Sequence, residues 1–248
     1  MHSIDKSPVP QWFWLWLPIV LYFGHFLARW LLDDLTYNGL VEHESGFTEV
    51  TTILLLGAAL LVGLRVLYLS WTLGDNTLRF FLICFCLGCL YFGGEEASWG
   101  QHLFGWDTPA SWQTLNNQNE TNFHNSNELA GSLLDQLPRN LLSAIILISG
   151  AIVPLFRAAR GATYKLGGFK SAVMPGIICV PAALIAPLAS IPEKILKKSI
   201  GNAPWPFDIE AGEVKELMIA VFLLVYITSI WREFDRRIVG YRGIHSTP

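Results

Sequence analysis

The chain has 248 residues, of which 52% are hydrophobic and 15% charged, well short of the roughly 25% charge of a soluble domain, so an ordinary water-soluble fold is excluded. Its formal charge of −3, with no basic stripe, excludes nucleic acid as a partner. The four cysteines lie inside apolar stretches, which points away from a disulfide-framed extracellular domain.

Six segments approach the 20 or so apolar residues that a bilayer core demands: 11–32, 49–72, 77–96, 139–157, 172–191 and 214–232. The expected fold is all-α, a polytopic transmembrane bundle of about six spans forming one integral membrane domain over residues 1–248. The flank MHSIDKSPVP lacks a signal-peptide cleavage pattern, so the first span is expected to be retained. On its outer half His25, Arg29 and Asp33 recur every four residues. The first loop closes with ESGFTEV, placing Glu44 before a Ser-Gly bend and Glu49 in the first turn of the second span, where a carboxylate complements the helix dipole. The third span carries CFCLGC (Cys84, Cys86, Cys89), read as small thiols used for packing.

That span closes on Glu95 and Glu96, with Ser98, Gln101 and His102 behind them. Were the helix to continue, Glu95, Ser98 and His102 would share one face. Residues 100–138 form a periplasmic loop with short helices. One is expected after Asp107 or Thr108 with Pro109 at its first position, and another, with Leu129, Leu133 and Leu137 in a stripe, lies flat at the interface. Between them NNQNETNFHN sets Glu120 and His124 four apart, a spacing that brings two ligands onto one helical face. The fifth span holds Pro175, Pro181, Pro187 and Pro192 and must be kinked or broken. The sixth opens with Glu210, Glu213 and Glu216, the last two able to point the same way.

Lysine and arginine mark cytoplasmic loops. Arg65 and Arg79, then Arg157, Arg160, Lys165 and Lys170, then the tail arginines put the even-numbered connections and both termini in the cytoplasm. Only the fifth connection, with Lys194, Lys197 and Lys198, runs against the rule. Most of the 20 acids then fall outside, and several sit at span ends, where burying a carboxylate is costly and usually functional.

The strings E-x-G-x-x-E (Glu44, Gly46, Glu49), G-E-E-x-S-W-G-Q (Gly94 to Gln101) and N-x-Q-x-E-x-N-x-H-N (Asn116 to Asn125) resemble an uncharacterised family of bacterial multi-spanning membrane proteins. His102 stands where arginine is expected in that family. The resemblance implies a bacterial inner-membrane location, the same fold and a shared site, without an activity.

The expected function is a metal-dependent membrane enzyme, hydrolase or oxidoreductase, acting on a lipid or lipid-linked group at the extracytoplasmic face. Glu49, Glu96, Glu120, His124, Glu213 and Glu216 form the candidate ligand set for zinc, iron or manganese, and Glu95, Ser98 and Gln101 the candidate catalytic set. The layout is similar in spirit to the alkaline ceramidase superfamily but lacks its three histidines. Alternatives are a non-catalytic subunit or assembly factor, binding a protein partner through residues 99–125, and an ion-coupled transporter. Membrane lipids are partners in every case.

Overall fold

The computed structural model describes residues 9–42, 46–113, 121–122, 139–160 and 173–245, with side chains throughout except at Glu42, Leu73, His102, Leu103, Trp112 and 236–245. The expected Glu44, Glu120 and His124 sites and the leucine stripe at 129–137 lie outside the described residues.

Every described element is helical. A π-helical turn, Trp12–Trp16, leads into α1, Leu17–Leu31, and a short α2, Asp34–Tyr37, follows. The long helices are α3, Phe47–Ser70, and α4, Asn76–Glu96. Gly74 turns the chain between them in the left-handed region (φ 71°), and the Asp75 carboxylate caps α4 by accepting from Thr77 N and Leu78 N, each at 3.0 Å. Two four-residue helices, α5, Gln101–Phe104, and α6, Ala110–Gln113, lie beyond. Next comes α7, Arg139–Ala159, with a π-helical stretch at Ile146–Ile152. The proline-rich segment divides, as its sequence requires, into a 3₁₀ turn at Ile177–Cys179, α8, Val180–Leu188, and α9, Ile191–Ile200. Pro181 and Pro192 sit in first turns, where no amide hydrogen is missed, and Pro187 lies inside α8 just before the break. The last helix, α10, is Ala211–His245.

Among the described residues, five helical stretches are long and apolar enough to cross a membrane: Phe47–Ser70, Asn76–Glu96, Arg139–Ala159, Ile177–Ile200 and Ala211–Asp235. The first expected span is helical as well, but its regular α part has only 15 residues. The chain is an all-α, multi-pass membrane bundle.

Burial sorts these helices into one centre and a ring. In α10, 72% of the most apolar window is buried, against 22 to 44% in the other four. Residues 214–222 are buried without interruption, which a helix achieves only when neighbours surround it. The ring helices turn Leu54, Leu61, Phe80, Leu87 and Ile148 outward, an apolar exterior that suits lipid rather than water. Close approach to α10 depends on Gly150: a Cβ there would stand 2.5 Å from Phe222 and 2.8 Å from the Ala183 methyl. Between α3 and α4, Gly63 faces Cys86 Sγ, and Cys86 and Cys89 are buried as free thiols while Cys84 is exposed. Cys86 and Cys89 pack as expected; Cys84 instead faces outward.

The chain's reversals gather the C-termini of α1 and α4 and the N-termini of α3, α7 and α10 at one end of the bundle. Three long-range contacts demonstrate it. Arg29 donates to both Asp208 oxygens, from Nε at 3.1 Å and Nη2 at 2.7 Å. His25 Nε2 lies 3.0 Å from Thr48 Oγ1. Arg139 Nη1 lies 2.5 Å from Glu216 Oε1. The acid beside Arg29 is Asp34, at 2.8 Å, because Leu32 leaves the helix (ψ 146°) and turns Asp33 into the cap of α2, accepting from Thr36 N at 3.0 Å.

The Arg29 guanidinium, by its hydrogen bonds, holds the Asp208 carboxyl below its ordinary value of 3.8. A depressed carboxylate stabilises the fold above its unfolded pKa, and that contribution disappears as pH falls through the folded value. Thermal unfolding in detergent across acid pH is therefore expected to converge for the wild type and Asp208→Asn as pH falls through the folded value, and to separate in favour of the wild type above the ordinary carboxylate range. Parallel curves at all pH values would contradict this.

Candidate carboxylate site

The string G-E-E-x-S-W-G-Q folds as one turn. Helix α4 stops at Glu96, and the next residues enter the left-handed region in succession: Ser98 at φ 43°, Trp99 at 54° and Gly100 at 93°. For side chains other than glycine this costs about 1–2 kcal/mol per residue, so other contacts must offset it. Trp99 Nε1 donates to Glu95 Oε1 at 2.7 Å, and its ring lies over Gly94, where a Cβ would come within 2.8 Å of Cζ3. Gly94 therefore has to be glycine. The expected single helical face of Glu95, Ser98 and His102 does not form, because the helix ends before Ser98.

A second layer locks the turn. Buried Asn122 donates to Ser98 Oγ at 2.9 Å and to the Glu95 carbonyl at 3.4 Å. Gln101 Oε1 accepts from Thr121 N at 2.8 Å and Thr121 Oγ1 at 2.9 Å, while its Nε2 donates to Thr108 Oγ1 at 2.7 Å. The amide-rich stretch thus contributes Asn122 as a clamp on the turn. Among the candidate catalytic residues, Glu95 anchors Trp99 and Gln101 ties residues 108 and 121 together. Ser98, only 1% exposed, accepts from Asn122 and keeps its own hydroxyl hydrogen to donate. The helix expected after Pro109 forms as α6, beginning at Ala110.

Glu95 and Glu96 part company because successive helical residues point about 100° apart. Glu96 leaves the turn and joins Glu213 and Glu216 from the first turns of α10, with one carboxylate oxygen from each lying within 4.8 Å of the others. Glu96 is 7% exposed and Glu216 1%; Glu213 is half-buried. At this spacing each pair of ionised carboxylates repels by about 3–4 kcal/mol at an effective dielectric constant near 20. Arg139 meets part of this charge from the start of α7. Glu49, half-buried in the first turn of α3, is not in the group.

Of the candidate ligands, the structure joins Glu96, Glu213 and Glu216. Residues not singled out from sequence prove central: Arg139, Asn122 and Thr48. Arg139 carried a readable signal, being an arginine at the start of an apolar span on the side otherwise poor in lysine and arginine. Asn122 stood as a fixed position in the string N-x-Q-x-E-x-N-x-H-N, which marked it without giving it a role.

Compared with protein-family models, with curated proteins and with solved structures, the chain matches none.

Proposed function

We propose that this membrane protein holds a divalent cation on Glu96, Glu213 and Glu216 and uses it in an enzymatic reaction on a lipid or lipid-linked substrate at the extracytoplasmic face of the bacterial inner membrane, with both termini in the cytoplasm. The observation that supports it is the meeting of three carboxylates at the end of a bundle, two of them buried, with mutual repulsion that a cation relieves. The donors fit. Three oxygens spread evenly round one ion stand about 3.5–4.5 Å apart for magnesium through calcium, and these three lie within 4.8 Å of one another. An all-oxygen set suits manganese or iron better than zinc, unless His124 adds a nitrogen.

When bound, such an ion supplies Lewis-acid polarisation and a more acidic water. The chain's own residues do the rest. Glu96, Glu213 and Glu216 hold the charge, and Arg139 keeps Glu216 oriented. Ser98, buried beneath Asn122, holds the turn that ends α4 and so fixes where Glu96 stands. Glu95 and Trp99 keep the turn that carries Ser98 closed.

Elemental analysis of protein purified without chelators is expected to find about one divalent ion per chain, reduced about tenfold or more in Glu96→Gln and Glu216→Gln. A metal-free wild type would end this reading.

A second reading, a subunit or assembly factor, is favoured by one feature. Phe104 and Trp106 stack at 5.9 Å with planes 9° apart, and both are exposed, at 73% and 40%. A partner that co-purifies stoichiometrically and is lost on Phe104→Ser would promote it over catalysis.

A further inference from the structure

The lysines of the fifth connection break the charge rule, and the structure shows what surrounds them. Helix α9 packs on the bundle through Pro192, Glu193 and Leu196, which are half-buried, while Ile191, Lys194, Ile195, Lys197 and Lys198 are exposed. On a helix of 3.6 residues per turn, Ile191 and Ile195 form one ridge, and Lys194 and Lys198 form a second ridge about 60° away. Both ridges lie opposite the packed face. Lys197 pairs with Glu193; among the described residues Lys194 and Lys198 have no acidic partner.

Depth points the same way. The segment Ile177–Ile200 is one of the membrane-crossing stretches. Its first seventeen residues, 177–193, hold no lysine or arginine, and its lysines all fall in the last seven, after the break between α8 and α9. Basic groups that close an apolar stretch sit at headgroup level, and Ile191 lies on the apolar side of them. At this end of the bundle Arg29 is paired with Asp208 and Arg139 with Glu216, whereas Lys194 and Lys198 have no acid beside them among the described residues.

We infer that α9 is a binding site for an anionic phospholipid, its phosphate held by Lys194 and Lys198 and its acyl chains lying on Ile191 and Ile195. Exposed paired lysines meet the charge of the headgroup, and an exposed isoleucine ridge beside them meets the chain. The site is independent of a cation at Glu96, Glu213 and Glu216.

The test uses full-length protein in a nonionic detergent, titrated separately with a phosphatidylglycerol and a phosphatidylcholine of the same chains, with bound lipid counted by native mass spectrometry. The phosphatidylglycerol is expected to bind about tenfold more tightly. The preference is lost in K194Q/K198Q, kept in K194R/K198R, and kept in R65Q, whose arginine is exposed toward the other end of α3. Equal melting temperatures for the lysine variants show that the fold is retained. Equal affinity for the two lipids in the wild type overturns the inference, as does a preference that survives K194Q/K198Q. Displacement of phosphatidylglycerol by equimolar inorganic phosphate would assign the site to a free anion instead.

Discussion

Replacing Arg139 with alanine is expected to lower the unfolding free energy by about 3 kcal/mol. That is the lower end of the range for breaking a buried ion pair, because the Arg139 side chain keeps 26% of its exposure while Glu216 keeps 1%. The loss is larger than that of the contact itself. Without the guanidinium, Glu216 is left deep in the bundle beside Glu96 and Glu213, with a desolvated charge and two like neighbours. Adding Glu216→Gln to Arg139→Ala removes the stranded charge, so the double variant is expected to be more stable than Arg139→Ala alone. Unfolding titrations in mixed micelles on the four members of this cycle measure the coupling. A double variant as unstable as the sum of the two singles would show that Arg139 acts through packing. If a cation occupies the site, Arg139→Ala also raises its affinity while Glu216→Gln lowers it, a pair of opposite shifts that stability alone would not produce.

The second large effect is expected at Gly150. Its missing side chain lets α7 lie directly on α8 and α10, and a methyl group there meets Phe222 at 2.5 Å and Ala183 at 2.8 Å. Phe222 is 4% exposed and stacked on Tyr226 with planes 3° apart, so its ring has little room to swing. Overpacking of this kind costs about 1–3 kcal/mol for Gly150→Ala, and Gly150→Leu is expected to separate the helices and prevent folding. Moving the small residue across the interface, as Gly150→Ala with Ala183→Gly, is expected to recover part of the loss in the same titration. No recovery would place the cost in the π-helical stretch around Gly150 and not in the contact.

Much of this architecture is legible in the residues themselves. Long apolar runs with few charges can only be buried in lipid or protein, so the membrane class, the helical content and most span positions follow from hydropathy. The prolines at 175, 181, 187 and 192 predict a divided segment because each removes an amide donor, and the division into α8 and α9 is found. Where tertiary contacts decide, the reading stops short. The third span ends at Glu96, as hydropathy places it, but the left-handed turn beyond it, held by contacts from Gly94, Trp99 and Asn122, is one that no propensity would choose. His25, Arg29 and Asp33 recur every four residues, yet the chain leaves the helix at Leu32, so Arg29 reaches Asp34 and, from the far end of the sequence, Asp208.

What the sequence by itself determined is the material: a membrane bundle with acids concentrated at span ends. Which of those acids meet was decided only in three dimensions. Glu95 and Glu96 are neighbours of the same type, yet the 100° between their side chains sends one to an indole and the other to Glu213 and Glu216, more than a hundred positions away. Hydropathy depends on each residue alone, whereas a cluster depends on how α4, α7 and α10 pack, and that packing is set by small-residue contacts such as Gly150 that leave no trace in charge or periodicity.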